Sequence, residues 1–167
     1  MHAGATMPFW IKMLIAVAAV EVLGGLGAWI TRSQIPGWYA GLQRPPGTPP
    51  NWIFGPVWSL LYAMMGAGFA VVWHRTEPGA AKRVAILWFG AQLALNLAWT
   101  PVFFRWHQPF AALAVIAALW IAIAVTISKF RRIQPLAAAL LIPCWLWVGY
   151  ATYLNAGFWL LNRPGHG

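Results

Sequence analysis

Five stretches of this chain are each long and apolar enough to cross a bilayer, and this constrains its fold more than any other feature. A hydrocarbon core of about 30 Å takes about 20 mostly apolar residues per helix. The qualifying segments run over about residues 10–30, 52–73, 84–104, 109–128 and 135–161. Together they use most of the 167 residues, so no soluble domain of ordinary size is expected beside them. In lipid every backbone polar group must be paired internally, which leaves helices or closed barrels. The runs are unbroken and lack the two-residue alternation of barrel strands. The expected fold is therefore an all-α membrane protein, a five-transmembrane-helix bundle forming a single domain over 1–167, with loop 31–51 as its one long connection.

Composition supports this reading. Hydrophobic residues make up 61% of the chain and charged residues only 8%, against about 25% charged in soluble domains. The net charge of +9 would point to nucleic acid in a soluble protein. Here the basic residues fall in short clusters between apolar runs, and no basic–aromatic arrangement resembles a nucleic-acid module. Seven of them (Lys12, Arg75, Lys82, Arg83, Lys129, Arg131 and Arg132) lie on the side of the amino terminus, and Arg32, Arg44, Arg105 and Arg163 on the other. That bias places the amino terminus in the cytoplasm. The first segment exceeds the length of a signal-peptide core and reads as an uncleaved helix. A single cysteine, Cys144, excludes an intrachain disulfide framework.

Loop 31–51 is unlike a solvated linker. Five prolines between Pro36 and Pro50 stiffen it, and Trp38, Tyr39 and Leu42 make it apolar. Long loops in compact folds are often lids or binding loops, and a lid is the reading adopted. An aromatic anchor at the membrane interface is the alternative.

Within the spans, Trp88, Gln92, Asn96, Trp99 and Phe103 share one face of the third helix. Two amides in hydrocarbon are costly unless they pair with each other, with another helix or with a ligand. Trp58, Tyr62, Met65 and Phe69 repeat the pattern on the second helix, and Trp147, Ala151, Leu154 and Phe158 on the fifth. These faces suit an apolar cavity between helices, though packing alone would give the same spacing. Gly90, Ala94 and Ala98 form a small-residue face away from Asn96, suited to close helix contact within the chain or between two copies. Glu21 is the only acid inside a span, and His2, His74, His107 and His166 all lie at ends or connections. No catalytic pair and no metal site is expected, so the residues point to a binding protein more than an enzyme. Proton-coupled export would rest almost entirely on Glu21.

Two long motifs resemble a known family. Trp38-Tyr39-x-x-Leu42-x-Arg44-Pro45 continues as Pro49-Pro50-x-Trp52-x-Phe54-Gly55-Pro56-Val57-Trp58-x-x-Leu61-Tyr62. The second is Gln92-Leu93-Ala94-Leu95-Asn96-x-x-Trp99-x-Pro101-x-Phe103-Phe104, and Ala151-Thr152-Tyr153-Leu154-Asn155 follows. The chain resembles the translocator protein family, which includes bacterial tryptophan-rich sensory proteins (TspO) and the mitochondrial peripheral benzodiazepine receptors. The resemblance implies a homodimer in the membrane lipid with a pocket beneath the first loop. It implies porphyrins (protoporphyrin IX or haem) or benzodiazepine-type compounds as ligands, with no required cofactor. The ligand-binding residues it implies, together with the helix faces, are Trp38, Arg44, Trp52, Trp58, Tyr62, Asn96, Trp99, Phe103, Phe104, Trp147, Ala151 and Leu154. Gly47 stands where family loops often carry Trp, and Ala156 and Leu160 break the cholesterol motif of animal members. The broken cholesterol motif favours a bacterial cell membrane and tetrapyrrole or other apolar aromatic ligands. Light- and oxygen-dependent porphyrin breakdown is the alternative activity the resemblance allows.

Overall fold

The structure, a computed structural model, describes residues 7–75 and 77–163; His2 and His166 lie outside them. It is helical, with α1 (Phe9–Arg32), α2 (Asn51–Arg75), α3 (Ala80–Thr100), α4 (Pro109–Ile133), α5 (Pro135–Ala139) and α6 (Ile142–Leu161). Five spans are long and apolar enough to cross a membrane, the fifth being α5 and α6 together. Neighbouring spans close into a ring: α1 packs on α2, α2 on α5, α6 on α4, α4 on α3, and α3 back on α1.

The helices run past the expected bounds. Charged ends such as Arg32, Arg75 and Arg132 remain helical, because long basic side chains reach the headgroups from inside a helix. Two irregularities also depart from uninterrupted spans. Pro143 has no N–H, and its ring would clash with the carbonyl four residues back, at Ala139; α5 ends at that residue. Pro101 opens a five-residue π turn, Pro101–Arg105, closed by Trp106 N–H donating to Pro101 O at 2.9 Å. The π turn rotates less per residue than an α-helix, so consecutive Phe103 and Phe104 both point inward.

Without a hydrophobic force between helices in lipid, close approach depends on small residues. The buried face of α1 is Ala16, Val20, Gly24 and Gly27, while Leu14, Val22, Leu26 and Trp29 face outward. Gly66 of α2 meets α1 backbone to backbone: a Cβ there would lie 2.6 Å from Val17 Cα. On the other side of α2, Gly68 admits Leu141 and the Ala137 carbonyl. α2 therefore sits between α1 and α5 at distances only glycine permits. Gly90, Ala94 and Ala98 are all exposed on the outer face of α3. Trp88, expected on the inward stripe, is 37% exposed, whereas Gln92, Asn96 and Phe103 on that stripe are buried.

Candidate functional site: a roofed aromatic cavity

α1, α2, α3 and α6 converge at one end of the bundle around a cavity of about 490 Å³. Each contributes a different chemistry. α2 supplies Trp52, Trp58 and Tyr62, and α3 supplies Asn96 and Trp99. The π turn adds Phe103 and Phe104, and α6 adds Trp147, Ala151 and Leu154. Ten of the twelve expected residues thus line this one cavity. Trp58 stacks on Tyr62 at 5.3 Å, and Trp99 on Phe103 at 5.4 Å.

A short set of hydrogen bonds fixes these rings. Tyr62 donates its hydroxyl to Asn96 Oδ1 at 2.8 Å. Trp99 Nε1 donates to Asn155 Oδ1 at 2.9 Å, and Asn155 Nδ2 donates to Pro109 O at 2.8 Å, tying α3, α6 and the start of α4. Three polar atoms of lining residues have no partner among the described residues: Asn96 Nδ2, Asn51 Oδ1 and Trp147 Nε1. Unpaired polar groups in apolar surroundings are costly, so each favours a bound partner.

Trp38 and Arg44 do not line the cavity. Trp38 stacks on His107 at 4.3 Å, and Arg44 lies 5.5 Å over the Tyr39 ring. Tyr39 lines the cavity instead, buried against Phe103, Phe104 and Phe158. Trp38 also meets the Phe103 ring, edge-on at 5.6 Å, but from outside the cavity, and the 3₁₀ turn Tyr39–Gly41 puts Tyr39 on the lining. Burial pushes the Tyr39 hydroxyl pKa up, and the Arg44 cation opposes that rise.

The loop is docked, mainly on α6. Gln43 N–H donates to Asn162 Oδ1 at 2.8 Å, and Asn162 Nδ2 donates back to Gln43 O at 3.0 Å. Tyr150 donates to Gly47 O and Tyr153 to Pro46 O. Gly47 has φ +82°, a conformation that disfavours other residues; a Trp here would be strained. Pro45 fills the space over Gly157, where a Cβ would come within 2.5 Å. At the other edge Gln34 pairs with His107 at 3.1 Å.

One wall carried no signal in the sequence beyond Glu21. α1 lines the cavity with Glu21, Gly24, Gly25, Gly27, Ala28, Thr31 and Arg32. Their spacing fits one helix face, but glycines display neither aromatic nor polar character. Asn155 was visible only as the end of a family-like motif.

The fold and site define a class: a multi-pass integral membrane protein with an aromatic cavity between its helices and a docked loop above it. The model of the TspO/MBR family matches residues 16–160. The chain is 36% identical to the tryptophan-rich protein TspO of Archaeoglobus fulgidus over 152 residues, 91% of this chain and 97% of that protein. It is 38% identical to the translocator protein of Bos taurus, covering 93% of each. It is 33% identical to the tryptophan-rich sensory protein of Cereibacter sphaeroides, covering 93% of this chain and 95% of that one. The chain belongs to the TspO/MBR family.

Proposed function

We propose that this protein binds porphyrins, protoporphyrin IX or haem, and related apolar aromatic ligands such as benzodiazepine-type compounds, and thereby acts in tetrapyrrole transport or regulation. The observation that carries this reading is the cavity of about 490 Å³ walled by Trp52, Trp58, Trp99 and Trp147. Flat π-systems stack on such rings, and the volume lies within the range of small-molecule sites, about 300–1,000 Å³. Arg32 at the mouth offers a cation to a propionate. No resident cofactor is needed for binding. The protein sits in a bacterial cell membrane with its amino terminus in the cytoplasm, following the bias of Lys and Arg. It forms a homodimer through the exposed Gly90, Ala94 and Ala98 face of α3.

Titration of protoporphyrin IX against the purified protein, followed by tryptophan quenching, tests the reading. Trp58→Ala removes a stacking ring worth about 0.5–1.5 kcal/mol beyond its area, so affinity should fall several-fold or more. Asn96→Leu should weaken binding as well. Unchanged affinity in both variants, with helix content intact, would remove the cavity from consideration. The four wall tryptophans also favour a second reading, light- and oxygen-dependent porphyrin breakdown with tryptophan as electron donor and oxygen as oxidant. Illuminating the complex with and without oxygen separates it from binding alone.

A further inference from the structure

At the end of the bundle opposite the docked loop, the start of α3 lies beside the last turns of α4. A second cavity, of about 250 Å³, opens between them, lined by Ala80, Ala81 and Val84 of α3 and by Lys129, Arg132 and Ile133 of α4. Lys129 and Arg132 are three residues apart and share one face of α4. Lys129 is half-buried and Arg132 exposed. Among the described residues neither has a hydrogen-bond, ion-pair or ring partner. Two cations on one small cavity repel each other until an anion joins them. The α3 wall brings no carboxylate to do so. Its first turn holds no acid, and its cap, Gly79, makes no side-chain bond to the helix start.

The lining sets the charge of the ligand, and the depth of the cavity sets its kind. The volume falls below the range of most small-molecule pockets, about 300–1,000 Å³, which suits a compact anion. No ring lines the cavity to stack a nucleobase. It lies where the α3 span begins and the α4 span ends, at the level of the headgroups. Trp88 follows Val84 by four residues on the same face of α3, deeper in the span, and is 37% exposed. An apolar strip thus leads from the cavity toward the hydrocarbon, the path an acyl chain takes away from its phosphate. We propose that this cleft binds the phosphate of an anionic phospholipid in the leaflet on the amino-terminal side. Lys129 and Arg132 pair with the phosphate oxygens, and a chain lies along Val84 and Trp88. Basic clefts between membrane helices hold lipid headgroups in this way. Long basic side chains at a helix end reach toward headgroups in any case. Arg131 separates the two possibilities, because it shares the same turn of α4 but does not line the cavity. A diffuse attraction would engage it as strongly as Arg132.

The test is native mass spectrometry of the full chain released from detergent micelles, titrated with dioleoyl phosphatidylglycerol or dioleoyl phosphatidylcholine. The two lipids share chains and phosphate, but the choline sets a third cation beside Lys129 and Arg132. The wild type should bind one phosphatidylglycerol about tenfold more tightly than phosphatidylcholine, the weight of one hydrogen bond to a charged group. Lys129→Ala and Arg132→Ala should each lower that affinity about tenfold, whereas Arg131→Ala should leave it near wild type. Ala81→Glu places a carboxylate in the cleft. A negative charge in the first turn favours the helix, so phosphatidylglycerol binding should be lost while the thermal transition holds or rises. Equal affinities for the two lipids in the wild type overturn the proposal, and that comparison needs no variant to fold. Equal losses in Arg131→Ala and Arg132→Ala reduce the cleft to diffuse attraction and overturn it too. Glycerophosphoglycerol, the same headgroup without chains, should bind far more weakly; binding as tight as the lipid's would make this a free-phosphate site and overturn the lipid assignment.

Discussion

Asn162 holds the loop to the end of α6, and removing it should open the cavity's roof. Its side chain makes two reciprocal bonds with the Gln43 backbone, at 2.8 and 3.0 Å, and a third to Phe158 O of its own helix. Asn162→Ala deletes both bonds to the loop. Each is worth about 0.5–1.5 kcal/mol net, and these lie near solvent, so a combined loss of about 1–1.5 kcal/mol is expected. With about 1.4 kcal/mol per factor of ten, the undocked loop becomes roughly tenfold more populated. If a porphyrin leaves only when the loop lifts, its off-rate rises by the same factor. Asn162→Asp is the internal control: its oxygen still accepts from Gln43 N–H but cannot donate to Gln43 O, so about half the free-energy effect should remain. Stopped-flow dissociation of protoporphyrin IX measures the rate, and hydrogen exchange at Gln43 reports whether the loop has loosened. Faster exchange at Gln43 with an unchanged off-rate would show that the loop undocks without gating the cavity, and the lid would be refuted.

Three further outcomes follow from the same packing. Ala94→Phe should give monomers by light scattering in detergent while porphyrin affinity stays near wild type, since Ala94 is exposed and off the cavity; a persistent dimer would move the interface elsewhere. Gly66→Leu should abolish the folded protein, because its Cβ would meet Val17 Cα at 2.6 Å; a normal thermal transition by circular dichroism would contradict the α1–α2 contact. Tyr39 is kept neutral by burial with its pKa above the usual 10, so loop docking is intact below pH 10 and weakens as pH climbs through the raised value. Arg44→Ala removes the opposing cation and should move the tyrosinate absorbance step at 295 nm to still higher pH; a shift to lower pH would refute the contact.

The spans and the α2, α3 and α6 faces were legible because aromatic and amide residues at helical spacing stand out against an aliphatic background. The stripe from Gln92 to Phe103 needed only periodicity. On the α1 wall only Glu21 was legible, since Gly24 and Gly27 contribute by what they lack, and space appears only once Tyr62 is placed against it. That Trp38 and Arg44 lie off the cavity lining was not legible for a related reason. An irregular loop has no periodicity to say which side chain faces down, and the choice of Tyr39 is made by the 3₁₀ turn and the Phe103–Phe104–Phe158 cluster beneath it. The breaks at Pro101 and Pro143 were not anticipated: the apolar runs read as uninterrupted, although each break falls at a proline. Whether a proline kinks, winds or interrupts a helix depends on which neighbour satisfies the freed carbonyl, and sequence does not name that neighbour.

The roof is held by partners very distant along the chain: Gln43 and Asn162 are 119 residues apart, Pro46 and Tyr153 107, and Gly47 and Tyr150 103. The loop leaves the ribosome early, and its docking site on α6 follows more than a hundred residues later. During synthesis α1 and α2 can associate through Gly24 and Gly66, with Thr100 of α3 against Gly27, but the apolar trough they share must wait for α6 before anything covers it. Assembly thus has an obligatory last step, and a chain stalled before α6 would present an aromatic trough to the membrane's insertion and quality-control machinery.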